Sequence, residues 1–367
     1  MSNYEIFLSR DDGTRLALLD TVGSFDYSIV LHGIGVCTLT LPDTFDRTLL
    51  AADRRIEVWR QPEDGALALE RVYLVRRLTD TSDRNGVRNV KVVALDGNHL
   101  LKRRTVAYNE GSAQATMTEC ADDMCKYIVY YNLMVGALAA RRISSTYLTG
   151  QALAAVGPIL TMAFSRRNVL TVLQDIAKAA DAVGTPVYWH VADATPTQWE
   201  FRTSLGQPGM NHSYPSGQNP VLLSAELGNL AEPSLDEDFS DEVNYAYAGG
   251  KGEAEDRLIQ MAEDTVRSGR SLFGRCEGFI NASNSQETTA DILAAANQLL
   301  ADGEPKLALS ASIVDGPGTR YGLHWRWGDR VTMVYAGRTM DAIVRAVQVS
   351  VAAGGKETIT AHLEGAG

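Results

Sequence analysis

Apolar and polar residues alternate through most of the first hundred positions. Residues 4–10, 15–20 and 24–31 read as strands, separated by Asp-Gly and Val-Gly-Ser punctuation, and "DDGTR" at 11–15 reads as a hairpin turn. "GVCTLTLP" at 35–42 is a further strand, ended by Pro42. Runs at 53–60, 71–79 and 88–95 complete a block that is almost all strand. That many short strands with polar turns predict a small barrel or a sandwich over residues 1–103.

The period then changes. Met117, Cys120, Met124, Ile128 and Tyr131 fall at helical spacing within 112–134. Val169, Leu173, Ile176, Ala180 and Val183 do so within 165–184, with Asn168 as N-cap and Gly184 just past the end. Two strands follow, "TPVYWHV" and "QWEFRT". The stretch 104–220 therefore reads as an α+β domain inserted into strand text. Strands resume at 221–227 and 241–250. A second interruption, 251–305, holds a possible strand at "RLIQMA" and a helix over 288–302, stopped by Gly303 and Pro305. Each inserted helix has one apolar stripe, so each is expected to lie against a barrel or a neighbouring subunit. "LALSASIVD" at 307–315 returns to period two, and strands run on to 367.

One sentence is written twice. "ADRRIEVWRQPEDGALALERVYLVRRLTDT" and "WGDRVTMVYAGRTMDAIVRAVQVSV" share a small residue, Asp-Arg, an alternating run, a Gly turn and a second run built on Val-Arg. In each copy another Gly, Gly86 or Gly355, stands ten residues after Arg76 or Arg345, and a third alternating run follows. The simplest account is duplication of one β domain, 1–103 and then 221–250 with 306–367, pairing Asp53 with Asp329 and Arg76 with Arg345. A generic hairpin pattern is the competing reading. Arg76 and Arg345 lie inside apolar strands, so each charge should be paired or line a polar channel.

Composition narrows the classes. The chain has 367 residues, enough for more than one core, with 45% hydrophobic and 22% charged residues. Its net charge of −11 argues against a nucleic-acid binder working by counterion release. Only 7 of 34 basic residues are Lys, a compositional bias towards Arg. The N-terminus has neither a basic nor an apolar leader region, and the uncharged stretch 143–165 contains two Gly and a Pro, so a loop with a buried or interface segment fits it better than a membrane span. Cys37, Cys120, Cys125 and Cys276 form no CxxC pair and are expected to be reduced thiols.

No catalytic, cofactor-binding or metal-ligating residue is singled out. The acidic run 232–242 lacks the mid-loop Gly of a calcium loop and reads as a solvated loop before a strand. "GGKG" at 249–252 lacks the rest of a phosphate loop. The six His are scattered, with no HExxH and no GxSxG. Trp325 and Trp327 share a strand face with Leu323, either as core or interface or as a sugar platform.

Four segments in order carry a resemblance: "TLTLPDTFDRTLLAADRRIEVWR", "FSRRNVLTVLQDIAKAADAVGTPVY", "SAELGNLAEPSLDEDFSDEVNYAYAGG" and "WRWGDRVTMVYAG". With them the chain resembles the tail hub (baseplate hub) proteins of long-tailed bacteriophages, the siphophage hub group. The resemblance implies an α+β, mostly β fold: two tail-tube-like antiparallel β-barrels, with the stretches 104–220 and 251–305 as peripheral α+β subdomains. It implies a non-enzymatic homotrimer at the tail tip of the virion, assembled in the host bacterial cytoplasm, between a hexameric distal tail or tube protein and tip or fibre proteins. The tape measure protein would be a further neighbour and DNA would be met only in transit, with no cofactor and no membrane insertion. The chain ends just after the second strand block, so a lytic or adhesive extension is not expected. Competing functions are a carbohydrate-binding tail or cell-surface protein using Trp325 and Trp327, and a wall hydrolase with its site in 104–220.

Overall fold

The computed structural model describes residues 2–82, 84, 86, 88–107, 115–164, 166–252, 254–282 and 288–365. The first block forms seven strands: β1 (Asn3–Ser9), β2 (Arg15–Leu18), β3 (Phe25–Val30), β4 (Val36–Pro42), β5 (Arg55–Gln61), β6 (Ala68–Ser82) and β7 (Arg88–Asp96). Alternation follows the pleat: in β3 the side chains of Phe25, Tyr27 and Ile29 are buried while those of Asp26, Ser28 and Val30 are not.

The stretch 104–220 carries two small sheets and two helices of its own. After α1 (His99–Lys102), β8 (Ala115–Cys120) leads into α2 (Ala121–Leu133), so the expected helix starts later than its periodicity suggested. β9 (Leu148–Gly150) and β10 (Ile159–Phe164) come from the uncharged stretch. α3 (Val169–Ala182) begins where Asn168 Oδ1 accepts the Leu170 amide at 3.1 Å. β11 (Val187–Asp193) and β12 (Trp199–Leu205) form a hairpin, with β9 parallel to β12. β8 pairs with β10. Among the described residues no helix is long and apolar enough to cross a membrane.

The remaining elements are β13 (Asn211–His212), β14 (Leu222–Ser224), β15 (Leu230–Asp238), β16 (Tyr245–Gly249), β17 (Ile259–Glu263), α4 (Thr265–Ser268), β18 (Glu277–Asn281), α5 (Thr289–Asp302), β19 (Lys306–Ile313), β20 (Arg330–Tyr335), β21 (Arg338–Val351) and β22 (Glu357–Gly365). The acidic run 232–242 is thus strand as far as Asp238, not loop. Its charged residues sit on a strand at the end of a sheet, where solvent reaches them.

The strands of both blocks join one 14-stranded sheet in the order β15-β19-β22-β21-β3-β4-β7-β6-β5-β1-β2, with β20 beside β21 and β13 and β14 on β20. This corrects the expectation of two separate barrels: β21 of the second block hydrogen-bonds to β3 of the first, from Ala346 opposite Val30 to Val351 opposite Phe25. Among the described residues no pairing closes this path into a barrel.

By its contacts the chain divides into two compact units, Met1–Ala177 with Val187–Ser234 and Leu309–Gly367, and Lys178–Pro186 with Leu235–Ala308. The second unit holds the three-stranded sheet β17-β16-β18 and α5. Thr288 and Asp291 form a capping box at the start of α5, a device that contributes about 1 kcal/mol. The apolar stripe of α5 does not wait for a neighbour, as its sequence suggested: Ile292 and Ala296 pack on Ala246 and Ala248 of β16.

Candidate functional site

The duplicated sentence folds as a duplicated meander. β5, β6 and β7 form one antiparallel three-strand unit, and β20, β21 and β22 form the other. In both, the middle strand carries a bulge beside the third strand, at Arg76 between Val75 and Arg77, and at Arg345 between Val344 and Ala346. The entry hydrogen bonds also match. Asp53 N donates to Val75 O (3.0 Å) and Val75 N to Arg54 O (2.8 Å); Gly328 N donates to Val344 O (2.8 Å) and Val344 N to Asp329 O (2.9 Å).

That geometry shifts the sequence pairing by one residue at its start. Gly328, not Asp329, stands at the place of Asp53, and both have positive φ, 83° and 65°. Aligning the two Asp-Arg pairs by letter hid this, because the left-handed residue is Gly in one copy and Asp in the other. Arg76 and Arg345 do correspond, and both are paired. Arg76 bonds Asp53 at 2.7 Å, while Arg345 meets Glu364 and lies over the Tyr188 ring at 5.2 Å.

Strand β5 lies beneath both faces of cover and still carries Arg55, Glu57 and Arg60 fully buried. Such charges need full sets of partners. Arg55 donates to Asp11 O (2.9 Å) and Pro196 O (3.0 Å) and stacks on Trp199 at 4.4 Å. Glu57 accepts from Ser9, Arg15 and Trp59. Arg60 donates to Glu357 Oε1 (2.8 Å) and Oε2 (3.1 Å), Tyr321 O (2.8 Å), Tyr4 Oη (3.0 Å) and Ser2 Oγ (3.1 Å). Burial works to raise the Glu357 carboxyl, but the Arg60 guanidinium outweighs it and holds that carboxyl below the usual range.

A second cluster ties the 104–220 stretch to the first strand block. Arg71 of β6 bonds Asp96 at 2.9 Å and lies 3.5 Å from Asp193 of β11. Trp199 Nε1 donates to Asp193 at 2.8 Å, and Val191 N donates to Asn98 Oδ1 at 2.8 Å. Burial pushes the Asp193 carboxyl up to about 6, against the pull of Arg71. Sequence reasoning missed both clusters. Their members are charged letters inside strand text, and their partners lie far away along the chain.

The residues weighed as chemical sites fall differently. Trp325 is not on a strand face: it sits in the turn-rich segment before β20, is 1% exposed, and donates from Nε1 to Thr319 O at 2.8 Å. Trp327 packs on Leu31, Tyr188 and Ile343, with the His190 ring edge-on at 4.9 Å. Together they cannot form an exposed sugar platform. Burial drives His32 and His190 down to about 3, so both are neutral at ordinary pH. The four thiols are free, with Cys37 and Cys125 buried. Among the described residues no group of three His, Cys, Asp or Glu could hold a metal ion.

The 104–220 stretch has an open groove of about 850 Å³, lined by Tyr127, Tyr130, Met134, Arg142 and Phe201 among others. No carboxylate or His lines it, and the Lys126 ammonium at its wall is already held by Asp122 (2.8 Å) and Asp123 (3.0 Å). Acid–base hydrolysis therefore has no pair of groups there. In the second unit, Tyr245, Tyr247, Met261 and Phe279 share the sheet with α5, and Arg275 lies 3.7 Å over Tyr245. Leu272 and Phe273 nearby in sequence are 98% and 91% exposed.

Solved structures share this fold at low sequence identity. A tail protein of Neisseria meningitidis MC58 aligns with a TM-score of 0.61 and 12% identity, covering 99% of this chain and 96% of that one. The 43 kDa tail protein of prophage MuSo2 from Shewanella oneidensis aligns with a TM-score of 0.64 and 10% identity, covering 99% and 98%. The prophage tail protein gp18 of Listeria monocytogenes EGD-e gives 0.54 and 11%, covering 98% and 94%. No curated protein matches the sequence. The model of the Siphovirus ReqiPepy6 Gp37-like protein family, however, matches residues 5–363, almost the whole length in which the two meanders and their intervening stretches lie. The chain belongs to that family and is a phage tail structural protein.

Proposed function

We propose that this protein is the hub at the distal end of a phage tail tube: a non-enzymatic trimer that adapts a hexameric ring to a threefold tip. The observation that carries this reading is the duplicated meander. Two copies of one three-strand unit, each with its bulge at the same place, sit in a single sheet joined through β21 and β3. Three such chains present six similar units around an axis. A closed ring needs matching interfaces, and a trimer of doubled units meets a hexamer without leaving alternate contacts empty.

In this reading DNA passes through the ring without binding, and the net charge of −11 favours that passage. The neighbours are a hexameric distal tail or tube protein, the tip or fibre proteins and the tape measure protein. The test is an electron-microscopy class average of purified tails with antibody or tag density on this chain. Density in a threefold layer at the distal tip supports the reading, and density along the tube shaft contradicts it.

A further inference from the structure

The junction that joins the two meanders inside one chain has a counterpart that the chain leaves half-made at each end. On one edge β21 pairs with β22 along 342–351. On its other edge it pairs with β20 up to Ile343 and then, past the bulge at Arg345, with β3 from Ala346 to Val351. β6 has the same layout up to the bulge. One edge pairs with β7 along 73–82, and the other with β5 along 68–74. Past Arg76, however, Arg77–Ser82 face no second strand among the described residues.

The other half of the junction is also present. Outward from the third strand of the first meander the order is β7, β4, β3. Outward from the second it is β22, β19, β15. β15 therefore stands where β3 stands, but β3 has β21 on its outer edge and β15 ends the path. Its Pro233 is a residue that an edge strand tolerates and a central strand does not. One chain thus carries both halves of a second junction, the distal part of β6 and the strand β15, each without the other.

We propose that these two edges pair between copies of this chain: the 77–82 segment of β6 in one subunit lies antiparallel to β15 of the next, as β21 lies on β3 within each subunit. The proposal rests on the hub reading and specifies its subunit contact. The contact is heterologous, so it runs head to tail and closes only if the rotation per copy allows it. Alternating internal and intermolecular junctions give six in a ring of three, and the backbone hydrogen bonds of an added strand supply an interface that needs no large apolar patch. The character of the segment fits: Arg77, Asp80, Thr81 and Ser82 are exposed, and Thr79 and Thr81 are β-branched.

The test uses full-length chains with single cysteines, Asp80→Cys or Thr81→Cys on β6 and Ser234→Cys or Leu235→Cys on β15, which cover both faces of each strand. Each β6 variant is mixed with each β15 variant, oxidised with copper phenanthroline and run on a non-reducing gel, with the natural chain as the background for its own four thiols. The expected result is an interchain disulfide in mixtures from at least one face, absent from either partner alone, and a covalent trimer from Thr81→Cys combined with Ser234→Cys or Leu235→Cys. Light scattering on the same samples separates the two claims. A threefold species with no cross-link from any of the four mixtures overturns the strand pairing and leaves the hub reading standing. A species that is never threefold, with no cross-link, overturns both.

Discussion

Arg60 and Glu357 meet at 2.8 Å although 297 residues separate them in the chain. The first lies on a central strand of the first meander and the second opens the last strand of the second. Ser2, Tyr4 and the Tyr321 carbonyl complete the guanidinium's partners, so the two ends of the chain are held by one buried cation. Removing it in Arg60→Met strands a mostly buried carboxylate, and breaking such a pair costs about 3–5 kcal/mol. Urea denaturation of Arg60→Met should show that loss, and Arg60→Met with Glu357→Gln should recover part of it. Equal loss in both variants would show that the charge pair is not what the site contributes.

The two turns that follow the bulges offer a matched test. Gly86 and Gly355 have φ of 82° and 78°, and a Cβ added to either would meet nothing within 4 Å. Alanine at each position therefore adds backbone strain without a clash, at a cost of about 1 kcal/mol. Gly86→Ala and Gly355→Ala should lower the melting temperature by similar amounts. A loss several times larger at one of them would show that the two turns are not equivalent.

Asp193 sets a pH dependence. Its carboxyl is pushed up to about 6, above its unfolded value near 4, so the folded chain holds a proton there that the unfolded chain releases. Stability from this group is fully present at low pH and is lost as pH rises from about 4 through about 6. Asp193→Asn cannot lose that proton. The difference in unfolding free energy, variant minus natural chain, should grow across that window by on the order of 3 kcal/mol and level off above it. Urea midpoints at pH 4, 5, 6 and 7 measure it, and a constant offset would contradict the assignment.

Trp325 should behave as core. Trp325→Ala should cost about 3–5 kcal/mol in urea denaturation. Soluble glycans should leave the tryptophan fluorescence of the natural chain unchanged, and quenching that disappears in Trp325→Ala would revive the sugar-platform reading.

Much of the fold is legible in the letters, for identifiable reasons. β1, β3, β4 and β7 alternate cleanly because each has one buried face, and α3 and α5 announce themselves through Asn168, Thr288 and a single apolar stripe. β15 was hidden because an edge strand can be acidic and solvated and still pair on its inner side. The correspondence of Asp53 with Gly328 was hidden because it rests on a positive φ that two different residues adopt. The bonding of β21 to β3 could not be read at all, since strand partners more than 300 residues apart leave no local pattern. The same holds for the assembly sheet: its three-strand words are visible in sequence, and the edges it leaves open appear only when the pairing order is known.

The central claim is that three doubled chains make one pseudo-sixfold ring. Cryo-electron microscopy of purified tails, with this chain's density traced, tests it most directly. The account predicts three copies in one layer, with the β5-β6-β7 and β20-β21-β22 meanders alternating around the axis. Six copies in the layer, or a single meander type facing the axis, would contradict it.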